Sequence, residues 1–376
     1  MSMTFNMVGG SGGGNVKISG TYTRLPGELT HSTPTALSQV RSQAIGANVG
    51  NYALCMGGGS SSTGYSTVDA YNASLTLSTP TALSQARRLA AGASVNNYAL
   101  CMGGGSGSTM YSTVDAYNAS LTRTTPTALS QARHQGVGAS VGNYALCMGG
   151  WNGSTNFSTV DAYNASLTRS TPTALSQARK GPAGASVGNY ALCMGGHTSY
   201  GVNTVDAYNA SLTRSTPTAL SQAQMNGAGA NVGNYALCMG GASDAVTAYN
   251  ANLTRSTPTA LSQAREGPAG ASVDSYALCM GGFSYNSAVY DTVDAYNASL
   301  TRSTPTALSQ ARRFGAGASV NNYALCMGGD TSSGDNPYPP VANVDAYRAE
   351  ESLVLHLSDD SAFASSGNIT GRVTLS

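Results

Sequence analysis

The chain has 376 residues, with 18 Lys and Arg against 17 Asp and Glu, so its net charge is close to zero. It therefore lacks the basic surplus with which general nucleic-acid or anionic-membrane binders displace counterions. Only 9% of the residues are charged, well below the roughly 25% of ordinary soluble domains, so Ser, Thr, Asn and Gly must cover the surface. Neutral polar surfaces of this kind suit extracellular or virion proteins.

The N-terminal segment carries no recognisable export signal. Residues 1–8 lack a basic start followed by an apolar core of about 7 to 15 residues. No stretch approaches the roughly 18 apolar residues of a membrane span. Residues 9–14 are Gly-rich and typical of a flexible linker. We predict an N-terminal arm over residues 1–28 and synthesis in the cytoplasm, with any release occurring by lysis or by assembly into a particle.

From about residue 30 onward, one unit of about 46 residues recurs. The copy at residues 87–131 contains Ala-Gly-Ala-Ser-Val, Tyr-Ala-Leu-Cys-Met-Gly-Gly, Val-Asp-Ala-Tyr and Leu-Thr-Arg-Thr-Thr-Pro-Thr-Ala-Leu. Gly, Asn and Ser turns separate these four segments, whose Val, Tyr, Thr and Leu favour strands, and no window has a helical apolar period. Four strands in this length match one blade of a β-propeller. The phrase Tyr-Ala-Leu-Cys-Met indicates a strand buried on both faces.

Seven copies predict an all-β fold, a closed seven-bladed β-propeller of four antiparallel strands per blade over residues 29–358. The Thr-Pro-Thr-Ala-Leu phrase at residues 33–37 precedes any complete blade, and we interpret it as a fourth strand. The last copy lacks that phrase. We therefore expect the N-terminal strand, the C-terminal strand or both to complete blade seven and remove its open edge. Residues 359–376 are predicted to be a C-terminal tail.

Three features of the unit resemble the kelch repeat: the Gly-Gly pair closing the second strand, the Val-Asp-Ala-Tyr strand, and the Arg before the first strand. The resemblance covers about residues 30–357 and departs from the kelch pattern in lacking the Trp after the Tyr. We expect Leu75, Leu121 and their equivalents to fill that space. The repeat wording looks like that of kelch proteins in bacteriophage and prophage genomes. This resemblance implies a virion appendage or host-surface adhesin, held to other virion proteins by its arm or tail.

One cysteine occurs in each repeat, always in the phrase Tyr-Ala-Leu-Cys-Met-Gly-Gly. Equivalent points on neighbouring blades lie about 10 Å apart, beyond the Cα separation of about 7 Å that a disulfide allows. We therefore predict seven free, buried thiols that act as small hydrophobic groups. They are Cys55, Cys101, Cys147, Cys193, Cys238, Cys279 and Cys326.

An Arg before strand one and an Asp in strand three also recur, and the fifth copy loses both at once, with Gln224 and Thr247 in their places. This joint loss predicts that each of the other six blades contains a buried ion pair, because removing one partner alone reduces the free energy of unfolding by several kcal/mol. Two rings of catalytic charges are the disfavoured alternative. The predicted structural pairs are Arg41 with Asp69, Arg87 with Asp115, Arg133 with Asp161, Arg179 with Asp206, Arg265 with Asp294, and Arg312 with Asp345.

Variation among the copies is confined to two connections. The turns between strands one and two and between strands three and four are nearly uniform, whereas the four residues before strand one and the loop between strands two and three vary. These two connections emerge on the same face of an antiparallel blade. A binding face explains this difference between the two faces better than unconstrained sequence change in loops, because such change should affect both faces.

The variable face collects aromatic and amide groups with little charge. Such groups suit carbohydrate recognition, through ring stacking and hydroxyl hydrogen bonds, and they also suit protein contacts. The residues predicted to bind a ligand are Arg88, Leu89, His134, Gln135, Trp151, Asn152, Phe157, Lys180, His197, Tyr200, Met225, Asn226, Glu266, Phe283, Tyr285, Tyr290, Arg313 and Phe314.

The sequence offers little catalytic chemistry. It has no P-loop, no Gly-x-Ser-x-Gly and no Cys-x-x-Cys. His31, His134, His197 and His356 lack a metal-ligand spacing, and we predict that each faces solvent. We predict no metal, no cofactor and no enzymatic activity, although rim carboxylates such as Glu266, Asp244 and Asp330 leave catalysis open.

Three functions are compatible with these observations. The preferred hypothesis is a non-enzymatic adhesion module, virion-borne or extracellular, whose variable face binds a cell-surface glycan or protein. The second is a structural virion decoration whose face binds nothing specific. The third is a propeller enzyme acting on carbohydrates. None of them involves nucleic acid or membrane insertion.

Overall fold

The computed structural model describes residues 4–5, 16–17, 20–25, 27–284, 288–332, 339–350 and 352–357. Every regular element in these residues is a β-strand, and none of them lies in a helix long and apolar enough to cross a membrane. The chain divides into two compact units. The larger is Thr30–Arg348, and the smaller combines Met1–Leu29 with Ala349–Ser376.

The larger unit repeats one four-stranded antiparallel sheet in the order first, second, third, fourth strand. The first strands are Ile45–Val49, Ala91–Val95, Val137–Val141, Ala183–Val187, Ala228–Val232, Ala269–Val273 and Ala316–Val320. The second strands are Tyr52–Met56, Tyr98–Met102, Tyr144–Met148, Tyr190–Met194, Tyr235–Met239, Tyr276–Met280 and Tyr323–Met327. The third strands are Val68–Asn72, Val114–Asn118, Val160–Asn164, Val205–Asn209, Val246–Asn250, Val293–Asn297 and Val344–Ala349.

The fourth strands of blades one to six are Leu77–Ser78, Arg123–Thr124, Arg169–Ser170, Arg214–Ser215, Arg255–Ser256 and Arg302–Ser303. Blade seven takes its fourth strand, Leu29–Ser32, from the N-terminal side of the chain. The larger unit is therefore a seven-bladed β-propeller with four antiparallel strands in every blade. Short hairpins extend the loops after the second strands of blades one, two and six, at Gly59–Ser60 with Thr63–Gly64, Gly105–Ser106 with Thr109–Met110, and Phe283–Ser284 with Ala288–Val289.

The smaller unit contains two further strand pairs. Gly20–Leu25 pairs with Ser352–Leu357, and Thr4–Phe5 pairs with Val16–Lys17. The C-terminal strand therefore belongs to this unit, and the N-terminal strand alone completes blade seven. The predicted tail at residues 359–376 lies outside the described residues, as does most of the predicted arm.

The Thr-Pro-Thr-Ala-Leu phrase differs from the expectation, since it forms the connection between blades rather than a fourth strand. Pro lacks an N–H donor, and the remaining groups bond to the blades on either side. Between blades one and two, the Leu83 N–H donates to the Ser66 carbonyl at 2.8 Å, and the Tyr117 hydroxyl donates to the Thr81 carbonyl at 2.7 Å. Each connection therefore ties two neighbouring blades together.

The hydrophobic core lies between the blades. In one cluster, Leu100 and Met102 of blade two pack with Ala145, Cys147 and Tyr163 of blade three. All seven cysteines are free and buried, and burial raises the pKa of each thiol. The thiols therefore stay protonated and unreactive in the folded state.

Small residues line the axis of the ring. The second residue of each first strand is a Gly, and a Cβ added there would overlap the carbonyl oxygen of the equivalent Gly in the preceding blade. This close approach explains why the position never varies. The seven glycines are Gly46, Gly92, Gly138, Gly184, Gly229, Gly270 and Gly317.

Candidate ligand-binding face

Two connections of each blade meet on the variable face and pair through a short antiparallel backbone bridge. The residue that follows the Arg before strand one pairs with the residue that follows Gly-Gly, and the two exchange both backbone N–H···O bonds at 2.8–3.1 Å. The side chains differ in every bridge although the backbone is constant. The pairs are Ser42 with Gly59, Arg88 with Gly105, His134 with Trp151, Lys180 with His197, Glu266 with Phe283, and Arg313 with Asp330. Blade five departs, with Met225 N donating to the Gly241 carbonyl at 3.3 Å.

In each blade, the residue directly after the bridge residue that precedes strand one takes part in a closed ring of hydrogen bonds around the channel mouth. Each N–H donates to the carbonyl of the equivalent residue in the preceding blade at 2.8–3.0 Å, and the seventh bond closes on blade one. All seven have positive φ, which costs about 1–2 kcal/mol for a residue with a Cβ. They are Gln43, Leu89, Gln135, Gly181, Asn226, Gly267 and Phe314. Their side chains and the residues below them line a cavity of about 230 Å³.

The opposite, uniform face is made of the turns between strands one and two and between strands three and four. In blade two, the Asn118 Oδ1 accepts the backbone N–H groups of Ser120 and Thr122 at 3.0 and 2.9 Å. Leu121, with a φ of 58°, packs against the cluster that contains Tyr117. The Asn-Ala-Ser-Leu phrase is therefore a hydrogen-bonded tight turn, and the Leu occupies apolar space beside the Tyr.

A cluster of aromatic and basic side chains occupies the variable face at blades three and four. The rings of His134 and Trp151 lie 5.2 Å apart, and the Lys180 Nζ lies 3.9 Å from the Trp151 ring centroid. Burial, Lys180 and Arg88 lower the pKa of His134 to about 4. Burial and Lys180 also lower the pKa of His197. Both imidazoles are therefore neutral at pH 7, when each can donate one hydrogen bond and accept another.

The side chains at blades six and seven contact one another. The rings of Phe283 and Phe314 lie 5.7 Å apart, and the Arg313 guanidinium carbon lies 4.3 Å and 5.2 Å from their centroids. The Arg313 Nε donates to the Asp330 carboxylate at 2.9 Å. Glu266 is buried and accepts a 2.6 Å hydrogen bond from the Asn226 amide.

The predicted ligand residues differ in their exposure. Asn152 and Tyr200 are exposed, and Tyr200 is the most open at 84%. Glu266, Phe283 and Arg313 are buried. The half-buried ones are Arg88, Leu89, His134, Gln135, Trp151, Phe157, Lys180, His197, Met225, Asn226, Tyr290 and Phe314. Tyr285 lies outside the described residues.

Phe157 and Tyr290 lie at the base of their loops. Their N–H groups donate to the second Gly of the Gly-Gly pair, and their carbonyls accept the N–H of Arg179 and Arg312, respectively. Tyr65 and Tyr111 make the same two bonds in blades one and two. The position therefore belongs to the framework that these blades repeat, and Phe157 and Tyr290 are not part of the cluster around Trp151.

The structure brings each predicted Arg and Asp into contact within its blade. The Nη2–Oδ2 distance is 2.5–2.7 Å in five of the six pairs, and Arg265 contacts Asp294 in the same way. The same Nη2 donates to the carbonyl of the buried Cys in every pair. These charges are closed off inside the blades, and they hold strand three and the interblade connection against strand two.

Blade five replaces the pair with neutral groups. The Gln224 Nε2 donates to the carbonyls of Gly240 and Ala245 at 2.5 and 2.8 Å. The Thr247 hydroxyl lies 3.0 Å from that of Ser221. Both replaced positions therefore remain hydrogen-bonded, with no charge left unpaired.

The expectation that His31 faces solvent is wrong. Its ring lies 2.6 Å from the Asp345 carboxylate and 5.0 Å from the Tyr347 ring centroid, and its side chain is 15% exposed. In blades two, three, four and six, an Arg of the fourth strand approaches the equivalent Asp at 3.2–3.7 Å. Aligning Leu29-Thr30-His31 with Leu121-Thr122-Arg123 in the sequence would have shown this equivalence.

Sequence reasoning also missed Gln43. It stands in the ring around the channel mouth, and its amide oxygen accepts a hydrogen bond from the Arg88 guanidinium. Gln43 occupies the position in the first copy that Gln135 occupies in the third, so aligning these two copies in the sequence would have shown it. Among the described residues, no three His, Cys, Asp or Glu side chains come together as a metal site would require.

These features define the class of protein as a seven-bladed β-propeller with one variable face. Among solved structures, the chain is similar to that of YjhT, also a propeller, with a TM-score of 0.56 over 83% of this chain and 95% of that one. The sequence identity is 14%, so the likeness is one of fold. No protein-family profile matches the chain, and no curated protein matches its sequence.

Proposed function

We propose that this propeller is a non-enzymatic binding module whose variable face recognises a cell-surface glycan. One observation carries the proposal: six bridges share the same backbone hydrogen bonds, yet no two carry the same pair of side chains. Unconstrained loops change in length and backbone path as well as in sequence. Positions with a fixed backbone and diverse side chains are those that a binding surface needs.

The chemistry of blades three and four favours a glycan. Neutral imidazoles and amides hydrogen-bond hydroxyl groups, and an indole offers an apolar surface to a sugar ring. Several buried polar atoms in this region have no hydrogen-bond partner among the described residues, namely Nε2 of His134, Oε1 of Gln135 and Oδ1 of Asn156. Because unmade hydrogen bonds at buried groups cost free energy, a ligand that supplies them gains affinity.

The kelch-like repeat wording supports a virion setting for this module. The phrases Val-Asp-Ala-Tyr-Asn and Thr-Pro-Thr-Ala-Leu look like those of kelch proteins in bacteriophage and prophage genomes, and a phage appendage must recognise its host. In this proposal the N-terminal arm or C-terminal tail attaches the propeller to other virion proteins. Labelling of purified particles with an antibody against the propeller tests this part separately.

A glycan array tests the binding proposal directly. We expect the propeller to retain a restricted set of glycans, and we expect Trp151→Ala to reduce that binding at least tenfold. Ser166→Ala, on the uniform face, is the control and should bind as the parent does. Retention of no glycan would contradict the proposal. Binding to a host surface protein instead would support the alternative partner.

A further inference from the structure

Lys180 is held in a fixed place on the variable face. Its backbone exchanges hydrogen bonds with His197 at 3.1 and 2.9 Å, and its ammonium group sits over the ring of Trp151 in the preceding blade. Among the described residues the ammonium forms no ion pair, and burial lowers its pKa. A cation–π contact offsets part of the desolvation of a cation, but a charge-assisted hydrogen bond to an oxyanion is stronger.

Two imidazoles flank this ammonium group. His134 contacts Trp151 from within blade three, and its Nε2 is buried with no hydrogen-bond partner in the part of the chain that the structure describes. His197 pairs with Lys180 through the backbone. The charged groups that act on His134 are Lys180 and Arg88, and the one that acts on His197 is Lys180. Every charged group that shifts the pKa of these two imidazoles is therefore positive.

The acidic groups of the variable face that the structure describes lie elsewhere. Asp244 belongs to blade five, Glu266 and Asp291 belong to blade six, and Asp330 belongs to blade seven. Glu266 and Asp330 already accept hydrogen bonds from Asn226 and Arg313, respectively. The variable face is therefore electrically polarised across the channel mouth. A negatively charged group of a ligand would therefore be attracted to blades three and four.

We propose that the site formed by Lys180, His134 and His197 binds an oxyanion carried by the glycan, so that the ligand is an acidic saccharide. This inference rests on the proposed function. On binding, the ammonium group leaves the Trp151 ring for the carboxylate or phosphate, and the imidazoles donate further hydrogen bonds. The vacated indole face then becomes available to the sugar ring, so that charge recognition and stacking are coupled.

A pH dependence follows from this arrangement. The free site keeps both imidazoles neutral, with the pKa of His134 at about 4. A bound anion favours their protonated forms and raises these pKa values, so binding takes up protons. Affinity for the acidic saccharide therefore increases as pH falls from 7 toward 5. A neutral glycan would show no such change.

Isothermal titration calorimetry at low ionic strength tests the proposal with two matched pairs of probes. Oligogalacturonate and its carboxyl-reduced counterpart test for a carboxylate, and phosphomannan and its dephosphorylated form test for a phosphate. We expect one acidic probe to bind at least tenfold more tightly than its neutral counterpart. We expect Lys180→Met, which keeps an aliphatic stem over Trp151, to remove that preference, and titration in two buffers to show proton uptake.

Arg255→Gln provides the control. It removes one positive charge from the outer strand of blade five, where the Arg255 guanidinium donates to the Ala219 carbonyl and forms no ion pair among the described residues. It should leave binding of the acidic probe unchanged, which separates a local site from a general charge effect. Equal binding of charged and neutral probes, or an acidic preference that survives Lys180→Met, would overturn the inference and leave the proposed function standing. Failure to retain any glycan would remove both.

Discussion

Arg133 and Asp161 represent the ion pair that six blades bury. Their Nη2–Oδ2 contact is 2.7 Å, and Asp161 also accepts hydrogen bonds from the Ser130 backbone and hydroxyl. A buried charge without its partner is costly, whereas removal of both charges together is much less so. Blade five illustrates the second case with Gln224 and Thr247, which keep hydrogen bonds of their own.

The first prediction copies blade five into blade three. Asp161→Thr alone should reduce the free energy of unfolding by about 3–5 kcal/mol, because Arg133 is left buried and unpaired. Arg133→Gln combined with Asp161→Thr should cost clearly less than the two single changes added together. Urea unfolding of the three variants measures this coupling. Strict additivity would mean that the pair acts as two independent groups.

The second prediction concerns His134 and pH. Its pKa is about 4 in the folded protein because of burial, Lys180 and Arg88, against about 6.5 in an unfolded chain. Between these values the unfolded state binds more protons, so this residue makes the folded state less stable as pH falls from about 6.5 to 4. His134→Asn should remove that part of the pH dependence. Thermal unfolding of both proteins at pH 7 and pH 5 measures the difference, and an equal change in both would contradict the prediction.

At the scale of elements, the first strands pack so closely around the axis that the second residue of each can only be Gly. A Cβ on Gly138 would overlap the Gly92 carbonyl oxygen of the preceding blade. A substitution there must push two blades apart, against the interblade clusters that hold them together.

Two Gly→Ala variants test this constraint. Gly138→Ala should lower stability by about 1–3 kcal/mol or more, as overpacked cores do. Gly201→Ala should be nearly neutral, because its nearest neighbour, the Ala223 Cβ, is 3.6 Å from the added methyl group and Gly201 has no positive φ. Differential scanning calorimetry compares the two. Similar melting temperatures would show that the ring of glycines is not under packing constraint.

The closing strand Leu29–Ser32 offers a second test at this scale. His31 contacts the buried Asp345, where other blades use an Arg. Burial would raise the pKa of Asp345, but Arg312, His31 and the Ser309 amide together lower it below its usual value. His31→Ala should destabilise the propeller by about 1.5–3 kcal/mol, the value of a hydrogen bond to a charged group. His31→Arg should retain stability, and limited proteolysis of the N-terminal strand should report both effects.

For the whole molecule, seven-fold repetition made the architecture predictable. The blades can be predicted from the Gly-Gly pairs and from a second strand that is apolar on both faces. The buried ion pairs can be predicted from the joint loss of Arg and Asp in the fifth copy, where Gln224 and Thr247 replace them. The Thr-Pro-Thr-Ala-Leu segment was misassigned because strand propensity does not reveal that its hydrogen bonds go to two blades. Composition alone also could not show that the aromatic groups of the variable face contact one another, or that Phe283 is buried.

The two faces of the ring differ in how much their side chains vary among the blades. The uniform face carries hydrogen-bonded Asn turns with Leu in the left-handed conformation. The variable face keeps a constant set of backbone bridges and a closed ring of seven peptide hydrogen bonds, on which side chains differ from blade to blade. Such a scaffold can change the side chains of one face without altering its fold.

Under the proposed function, recognition resides in the side chains of the variable face, and the fold does not depend on them. The most direct test gives blades three and four the side chains of blade one, through His134→Ser, Trp151→Gly, Lys180→Ser and His197→Gly, which reproduce the pair of Ser42 and Gly59. Surface plasmon resonance against the glycan retained on the array should then show at least a hundredfold loss of affinity, with a circular dichroism spectrum like that of the parent. Unchanged affinity in this correctly folded variant would contradict the account.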